Sequence, residues 1–240
     1  MPFQILIPMG GAGSRFSVAG YDKPKPFIKF HNKTMIENVI ENLGVDNYYT
    51  LITQESHYQN FKEVYDNISN RVLNFNTRLL SGITQGAAES CLLAREYVNQ
   101  ELPLMIANCD QMIDLDMTIF YNWFINSKLD GAIMTFNSQS IKNSYAAIDS
   151  NNYVIRTAEK EVISKYATNG IYVWKNCNDF FNAAEEMIGN NIRVNNEFYV
   201  APVFNINISW GQKIGIYHID GHWPIGTPED LQIYLDNKGK

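Results

Sequence analysis

The turn after the first apolar run of this chain most constrains what it can fold into. The run Gln4–Pro8 has no polar alternation in its centre and predicts a buried strand. A glycine-rich segment, Gly10–Gly13, follows at once, then Arg15, and then Lys25 ten positions later. Glycine lets backbone N–H groups approach an anion closely, and the two cations add donors for phosphate oxygens. The pattern therefore favours a cradle for a polyphosphate at the end of the strand.

The same turn has a second interpretation, a tight connection between a strand and a helix with a solvated arginine. Two common phosphate-binding motifs do not fit. Phe16 stands where the dinucleotide fingerprint needs its third glycine, and no Gly-Lys-Ser/Thr follows at P-loop spacing. The glycines alone do not separate the two interpretations. Arg15 and Lys25 favour the cradle, because the Pro-rich segment that carries them predicts no helical face that they would merely decorate.

Apolar runs and helical stripes alternate along the first half of the chain. Such alternation predicts βαβ units around a mostly parallel sheet. The predicted strands there are Gln4–Pro8, Tyr48–Thr53, Arg71–Leu80, Leu102–Ala107 and Asp130–Phe136, and the predicted helices are Thr34–Leu43, Tyr58–Asn67, Ala87–Asn99 and Asp116–Ser127.

The second half is richer in short strand patterns. The predicted strands are Ser144–Ile148, Tyr153–Glu159, Ala167–Trp174 and Lys213–Ile219, and the predicted helices are Asn178–Ile188 and Thr227–Leu235. We therefore expect one continuous α/β domain in which a smaller β-rich subregion follows the main sheet.

Composition narrows the classes of function. The 240 residues carry a formal net charge of −6 and are 45% hydrophobic, which is typical of a folded globule and unlike a general nucleic-acid binder. No apolar run approaches the roughly 18 residues of a membrane span. The three cysteines are too widely spaced for a metal site. We expect a soluble cytoplasmic protein with buried thiols and with no nucleic-acid or membrane partner.

A further candidate for chemistry, Asp110, comes just past the buried strand pattern Leu102–Ala107. Ligands of open α/β sheets bind outside the carboxyl ends of the strands, and a carboxylate there is a good ligand for Mg²⁺. An aspartate at this spacing also caps turns. The glycine-rich turn adds weight to the magnesium interpretation, because a polyphosphate bound there would bring Mg²⁺ close to Asp110.

Six motifs occur in one order along nearly the whole chain. They are Gly11-Ala-Gly13-Ser-Arg15, Pro24-Lys25-Pro26, Asn108-Cys-Asp110, Glu159-Lys160, Thr168-Asn-Gly170-Ile-Tyr172 and Gly226-Thr227-Pro-Glu-Asp230. Taken together, they resemble the signature of the sugar-phosphate nucleotidyltransferases, such as glucose-1-phosphate thymidylyltransferase. The resemblance implies a GT-A-like, Rossmann-like sheet flanked by helices. It also implies a metal-dependent reaction in which an NTP and a phosphorylated acceptor give an NDP-linked product and pyrophosphate.

The resemblance implies a role for each motif. Arg15 and Lys25 would hold the triphosphate and the leaving pyrophosphate, Asp110 would bind Mg²⁺ or Mn²⁺, and Lys160 would hold the acceptor phosphate. The other residues that it implies are Met9, Gly10, Gly11, Gly13, Ser14, Gln85 and Gly86 for the nucleotide, and Glu159, Asn169, Gly170 and Glu197 for the acceptor. The nucleotide part would span about residues 1–135 and the acceptor part about residues 136–240. Tyr199 is interpreted as a packing residue.

Two positions depart from the family pattern. Pro224 stands where members often have an aspartate as a second metal ligand. Either that ligand is missing, or Asp220, His222 or Asp230 replaces it, or the metal arrives with the NTP. Ser81 stands at the spacing where thymidylyltransferase-like members read the base with a glutamine, so the nucleobase stays open.

These observations lead to a hypothesis: a nucleotidyltransferase that activates a sugar 1-phosphate or a similar acceptor for surface polysaccharide synthesis. The acceptor phosphate is already an anion near neutral pH, so the reaction needs no general base. A cytidylyltransferase for a non-sugar acceptor and a catalytically silent regulator that binds NDP-sugars are alternatives. A glycosyltransferase is a third, although it should carry Asp-x-Asp where this chain has Asn108-Cys-Asp110. A homo-oligomer is compatible with the sequence.

Overall fold

A nine-stranded mixed sheet forms the centre of the molecule, and two small two-stranded sheets accompany it. The computed structural model describes residues 1–11 and 13–238. The strands are β1 (Gln4–Pro8), β2 (Lys29–Phe30), β3 (Lys33–Thr34), β4 (Tyr48–Gln54), β5 (Asn74–Leu80), β6 (Leu104–Ala107), β7 (Gln111–Ile113), β8 (Gly131–Asn137), β9 (Ser144–Ile148), β10 (Val154–Glu159), β11 (Tyr166–Trp174), β12 (Ile214–His218) and β13 (His222–Pro224).

Helices connect and cover these strands. They are α1 (Ser14–Val18), α2 (Met35–Leu43), α3 (Glu55–Asn60), α4 (Lys62–Ser69), α5 (Ala87–Leu92), α6 (Met117–Asn126), α7 (Cys177–Gly189), α8 (Val203–Ser209) and α9 (Pro228–Lys238). No helix within residues 1–11 and 13–238 is both long and apolar enough to cross a membrane.

Four parallel strands carry the first half of the sheet, in the order β6–β1–β4–β5. Each parallel step needs a crossover, which α2 supplies between β1 and β4, α3 and α4 between β4 and β5, and α5 between β5 and β6. The chain leaves β1 towards β4 and later returns to its other side as β6. The strand order therefore reverses between β1 and β6, and a crevice at their carboxyl ends is where such sheets bind ligands.

Strand β11 joins the two halves of the sheet. It runs antiparallel to both β6 and β8, and β8 pairs in parallel with β12. Its register shifts between Thr168 and Tyr172. Before the shift Ala167 pairs with β9, and after it the strand pairs with β6. Strands β9 and β10 thus branch off as a β-rich subregion, which confirms the predicted α/β class with its additional subregion.

Two apolar cores fill opposite faces of the sheet. Ile5 and Ile7 of β1 belong to one core and Leu6 belongs to the other, as expected because successive strand residues point to opposite faces. All three side chains are fully buried. The parallel strands are apolar on both faces because helices cover both of them.

Some helices differ from their predicted bounds. The predicted helix Ala87–Asn99 ends at Leu92, after which Ala94 bonds back to the Cys91 carbonyl and a 3-10 turn follows. The predicted helix Tyr58–Asn67 is divided into α3 and α4 at Phe61, whose ring stacks on Phe27 with centroids 4.1 Å apart. Packing of this ring takes precedence over helical continuity.

Helix α8 is absent from the sequence-based prediction. Its residues are mainly β-branched or asparagine, which have low helix propensity. Tertiary contacts stabilise it instead. Phe204 stacks on Trp174 of β11 with centroids 4.3 Å apart, and Asn207 accepts a hydrogen bond from the Trp174 indole at 3.0 Å.

Candidate functional site

The glycine-rich turn after β1 forms one wall of a cavity of about 390 Å³. It lies at the carboxyl end of β1, as the reversal of strand order predicts. Its lining residues come from four places along the chain: Pro8, Met9, Gly10, Gly11, Gly13, Lys25, Pro26, Ile83, Thr84, Gly86, Ala87, Ser90, Cys109 and Glu197. Ala12, within the motif, lies outside the described residues. The structure therefore brings four predicted nucleotide residues of the turn and its strand to one cavity with Lys25.

Lys25 and Asp110 form an ion pair at this cavity. The Lys25 ammonium donates to Oδ2 of Asp110 at 2.7 Å, and both side chains are about one quarter exposed, at 24% and 23%. Burial lowers the pKa of Lys25, but the attraction of Asp110 outweighs it and the net shift is upward. The ammonium therefore stays protonated near neutral pH and acts as a fixed positive charge.

Asp110 also sits tightly against the segment that precedes α9. The Asp110 carbonyl accepts a hydrogen bond from the Ile225 amide at 2.9 Å. A Cβ atom added to Gly226 would lie 2.5 Å from Asp110 Oδ2, so only glycine leaves room for the carboxylate. The late Gly-Thr motif thus contributes space at the Asp110 carboxylate.

The donors around Asp110 fit a magnesium ion that is shared with a polyphosphate. Mg²⁺ is often held by one or two carboxylates, substrate phosphates and water. Within the described residues, no group of three or more His, Cys, Asp and Glu side chains stands close enough to hold a metal alone. His222 is close enough to feel the charge of Asp110, and its Nδ1 has no partner there, but Pro224 offers no ligand atom on its side chain. One carboxylate plus phosphate oxygens is the set that these residues supply.

Cys109 lines the same cavity between the two motifs. Its thiol is buried, and burial raises its pKa to about 11, although the Lys25 charge partly offsets the rise. The thiolate form is therefore scarce near neutral pH, and a nucleophilic role is disfavoured. The other two cysteines, Cys91 and Cys177, are free and buried, as predicted.

Arg15 does not line this cavity. The segment predicted to be non-helical contains the short helix α1, and Arg15 lies exposed on it. With Ser14, it borders a separate open groove against Thr227 and Glu229 at the start of α9. The prediction of a non-helical segment was wrong because one helical turn follows Gly13, which has φ of +57°. The structure therefore brings Lys25 to the cavity but leaves Arg15 and Ser14 beside it.

Gly86 lies against the backbone of Phe198. A Cβ atom added to Gly86 would lie 2.4 Å from the Phe198 oxygen, and φ of Gly86 is +143°. The neighbouring Gln85 side chain bonds Glu89 and Arg193 and does not line the cavity. Gly86 thus stands at the cavity wall as predicted, whereas Gln85 is engaged in a surface network. Thr84 and Ser90 line the wall beside Gly86, and their hydroxyls lie 2.6 Å apart.

The predicted acceptor residues Glu159 and Lys160 follow the end of β10. Glu159 is half-buried, accepts a hydrogen bond from Ser144, and lies near enough to Glu197 for the two charges to interact. Burial and Glu197 raise its pKa, while the Ser144 bond and Lys160 lower it, with a net rise. Lys160 donates to the hydroxyl of Tyr199 at 2.7 Å. The interpretation of Tyr199 as mere packing was therefore wrong.

The register shift in β11 exposes a set of buried amides next to Asp110. Gly170 has φ of +90°, and a Cβ atom there would collide with Asn108 at 2.2 Å. Asn169 and Gln111 are only 3% and 4% exposed, and each leaves a side-chain N–H donor without a partner among the described residues. Buried donors without acceptors are costly, so a ligand with oxygen atoms would satisfy them. Sequence reasoning missed Gln111, although its place directly after Asp110 was a usable signal.

Comparisons with known proteins agree with this geometry. The sequence model of the nucleotidyl transferase family, described as "Nucleotidyl transferase", matches residues 5–196. Among proteins with curated functions, no sequence matches this chain.

Solved structures share the fold. A nucleoside-diphosphate-sugar pyrophosphorylase from Vibrio cholerae superimposes with a TM-score of 0.84 at 24% identity, over 97% of this chain and 99% of its own. A putative glucose-1-phosphate thymidylyltransferase from Bacillus anthracis gives 0.80 at 19% identity, over 98% and 94%. The inositol-1-phosphate CTP transferase from T. maritima gives 0.76 at 15% identity, over 97% and 94%. At these identities the likeness establishes the fold alone.

Proposed function

Because this chain belongs to the nucleotidyl transferase family, we propose that it joins an NTP to a phosphorylated small-molecule acceptor and releases pyrophosphate. The observation that carries the proposal is the Lys25–Asp110 ion pair at the edge of a glycine-lined cavity. It places a permanent cation and a carboxylate where a strand-order reversal opens a ligand crevice. A polyphosphate needs the cation, and its divalent metal needs the carboxylate.

The proposed reaction depends on charge and positioning. The acceptor phosphate attacks the α-phosphorus of the NTP, and the bond to pyrophosphate breaks. Both reactants are anions, so their repulsion is the main obstacle, and fixed cations lower it. Lys25 supplies one such cation at the cavity, and Arg15 would reach in from the adjoining groove when phosphate is bound. The raised pKa of Lys25 means that it acts as a cation and not as a base.

Magnesium is the cofactor that this site would use, with manganese as a substitute. When bound, it would neutralise phosphate charge and polarise the α-phosphate. Asp110 is the residue that would hold it. Lys25 and the metal would then share this carboxylate, because Lys25 bonds Oδ2 and the structure gives Oδ1 no partner among the described residues.

The buried amides support an acceptor that is rich in oxygen. Gln111 and Asn169 present unpartnered N–H donors, and Glu159 presents a carboxylate that accepts hydroxyl hydrogens. A sugar 1-phosphate or a phosphorylated cyclic polyol offers hydroxyls that satisfy both kinds of group. We therefore propose a nucleotide-activated sugar or polyol as the product, made in the cytoplasm for surface polysaccharide synthesis.

A silent NDP-sugar-binding protein is the second candidate. Pro224 favours it, because it removes a side-chain metal ligand from the position where family members often have one. The retained Lys25–Asp110 pair favours the enzyme. Turnover by the unmodified chain separates the two candidates directly.

Pyrophosphate release tests the proposal. The protein would be supplied with Mg²⁺, each of the common NTPs and a panel of sugar 1-phosphates and inositol 1-phosphate. We expect release with at least one pair and a loss of at least about 100-fold in kcat in Asp110→Asn and Lys25→Met. Lys62 and Asp66 offer a matched control, since they form an exposed ion pair of the same 2.7 Å length on α4.

In the control variants Lys62→Met and Asp66→Asn, activity should stay at the level of the unmodified chain. Thermal unfolding would show whether each variant is folded. Full activity in folded Asp110→Asn and Lys25→Met would contradict the proposed site. Absence of turnover with every pair, together with calorimetric binding of an NDP-sugar, would favour the silent binding protein.

A further inference from the structure

Tyr199 makes a contact that neither the sequence motifs nor the proposed reaction explains. Its hydroxyl accepts a hydrogen bond from the Lys160 ammonium at 2.7 Å, across 39 positions of the chain. Lys160 adopts a left-handed backbone conformation with φ of +55°, which is uncommon for a residue with a side chain. Its amide bonds the Asn143 carbonyl at 3.0 Å. The turn after β10 is thus held so that this ammonium reaches Tyr199.

The carboxylates next to Lys160 in the chain have other partners. Glu159 accepts from Ser144, and Glu161 pairs with Arg156 at 2.7 Å. The ammonium of Lys160 makes its hydrogen bond to a neutral hydroxyl, and no salt bridge to it is found among the described residues. A neutral partner fixes the position of the ammonium without cancelling its charge, so the charge is available to an anion.

Tyr199 is in turn tied to the nucleotide side of the site. Phe198, its neighbour, donates from its amide to the Gln85 carbonyl at 2.8 Å and accepts from the Ala88 amide at 3.0 Å. Gly86 lies between these two bonds with no space for a Cβ atom. The Arg193 guanidinium covers the Phe198 ring at 3.9 Å. The segment from Glu197 to Tyr199 is therefore anchored on the loop that walls the cavity.

We propose that Tyr199 is a positioning residue that sets the acceptor-phosphate cation, Lys160, at a fixed place relative to the nucleotide loop. The inference rests on the proposed function for the meaning of that cation, but the pairing itself does not. The Tyr199 hydroxyl accepts from Lys160, so its own hydrogen is free to donate to the same phosphate. The Glu197–Tyr199 segment thereby fixes the distance between the two anions that react.

Tyr199→Phe removes the hydroxyl and keeps the ring. With the NTP and acceptor pair that the pyrophosphate assay selects, we expect KM for the acceptor to rise about tenfold while KM for the NTP is unchanged. Lys160→Ala should raise the acceptor KM further, and the double variant should match Lys160→Ala because Tyr199 acts through Lys160. Tyr153→Phe is the control, since Tyr153 lies just before β10, at the end of the strand opposite Glu159.

A second measurement needs no substrate. After reductive methylation with ¹³C-formaldehyde, the resonance that is missing in Lys160→Arg identifies Lys160. The hydrogen bond to Tyr199 raises the pKa of Lys160, so Tyr199→Phe should lower the titration midpoint of this resonance and Tyr153→Phe should not. An unchanged midpoint in Tyr199→Phe would overturn the pairing.

The two measurements separate the two proposals. Additive effects of Tyr199→Phe and Lys160→Ala on the acceptor KM, or an equal rise in the KM for the NTP, would overturn the positioning role. Failure of the unmodified protein to turn over any pair would instead contradict the proposed function, and the titration would still decide whether Tyr199 holds Lys160.

Discussion

At the scale of single residues, His222 shows how burial sets a charge. Its ring packs on Phe136 with centroids 4.2 Å apart, and its Nδ1 has no partner among the described residues. Burial lowers its pKa to about 4, and the attraction of Asp110 offsets only part of this shift. His222 is therefore neutral near pH 7, which agrees with the expectation that no histidine acts in catalysis.

The depressed pKa of His222 predicts a pH-dependent stability. Below the ordinary histidine pKa near 6.5, the unfolded chain binds a proton that the folded chain refuses until about pH 4. The free energy of unfolding should thus fall as pH drops from 6.5 towards 4. By pH 5 the loss from this group should be on the order of 1–2 kcal/mol.

Urea unfolding of His222→Phe at pH 7 and pH 5 measures this contribution. Phenylalanine does not titrate, so the variant should lose less stability between the two pH values than the unmodified chain. His31→Asn serves as the control, because His31 is exposed and has a φ of +49° that asparagine tolerates. An equal pH dependence in His222→Phe and the unmodified chain would refute the assignment.

At the scale of elements, the loop before α5 carries two glycines with different surroundings. Gly86 has a positive φ and its backbone contacts Phe198, whereas a Cβ atom on Gly82 would meet nothing within 4 Å. A methyl group at Gly86 must push the Glu197–Tyr199 segment away from the nucleotide loop. The loop that walls the cavity and the segment that carries Tyr199 therefore depend on a single missing side chain.

Gly86→Ala and Gly82→Ala test this dependence as a matched pair. We expect Gly86→Ala to lower kcat/KM by at least about tenfold, since a displacement of 1 Å in a reacting group is costly. Gly82→Ala should leave kcat/KM and the melting temperature unchanged. Equal kinetics in the two variants would show that the Gly86–Phe198 contact does not position the site.

At the scale of the whole molecule, strand β11 makes one sheet of both halves. It pairs with β6 of the parallel half and with β8 and β9 of the second half. Trp174 at its end is fully buried, stacks on Phe204, and donates to Asn207. The division into a nucleotide part of about residues 1–135 and an acceptor part of about residues 136–240 remains a proposal. The continuous sheet leads us to expect that both parts unfold together.

Trp174→Ala should therefore destabilise the whole chain and not one half of it. Loss of a fully buried aromatic side chain costs about 4 kcal/mol in the free energy of unfolding. Hydrogen exchange of β1 and β12, one strand from each half, should accelerate together. Trp210→Ala is the control, since the Trp210 side chain is substantially exposed. Faster exchange confined to β12 would show that the two parts are independently stable.

The sequence by itself determined the alternation of strands and helices, the place of the glycine-rich turn, and the presence of Lys25, Asp110 and Lys160 at the ends of elements. These follow from local patterns, because periodicity and strand-end chemistry are properties of neighbouring residues. Strand Ser144–Ile148 has the predicted bounds for this reason.

Only the tertiary structure decided which side chains meet. Lys25 pairs with Asp110 across 85 positions, and Lys160 with Tyr199 across 39. Arg15 lies in a neighbouring groove, and Gln111 becomes a buried donor because β11 shifts its register beside it. Such contacts depend on strand order and register, which pair distant residues and leave no periodic signal in the chain.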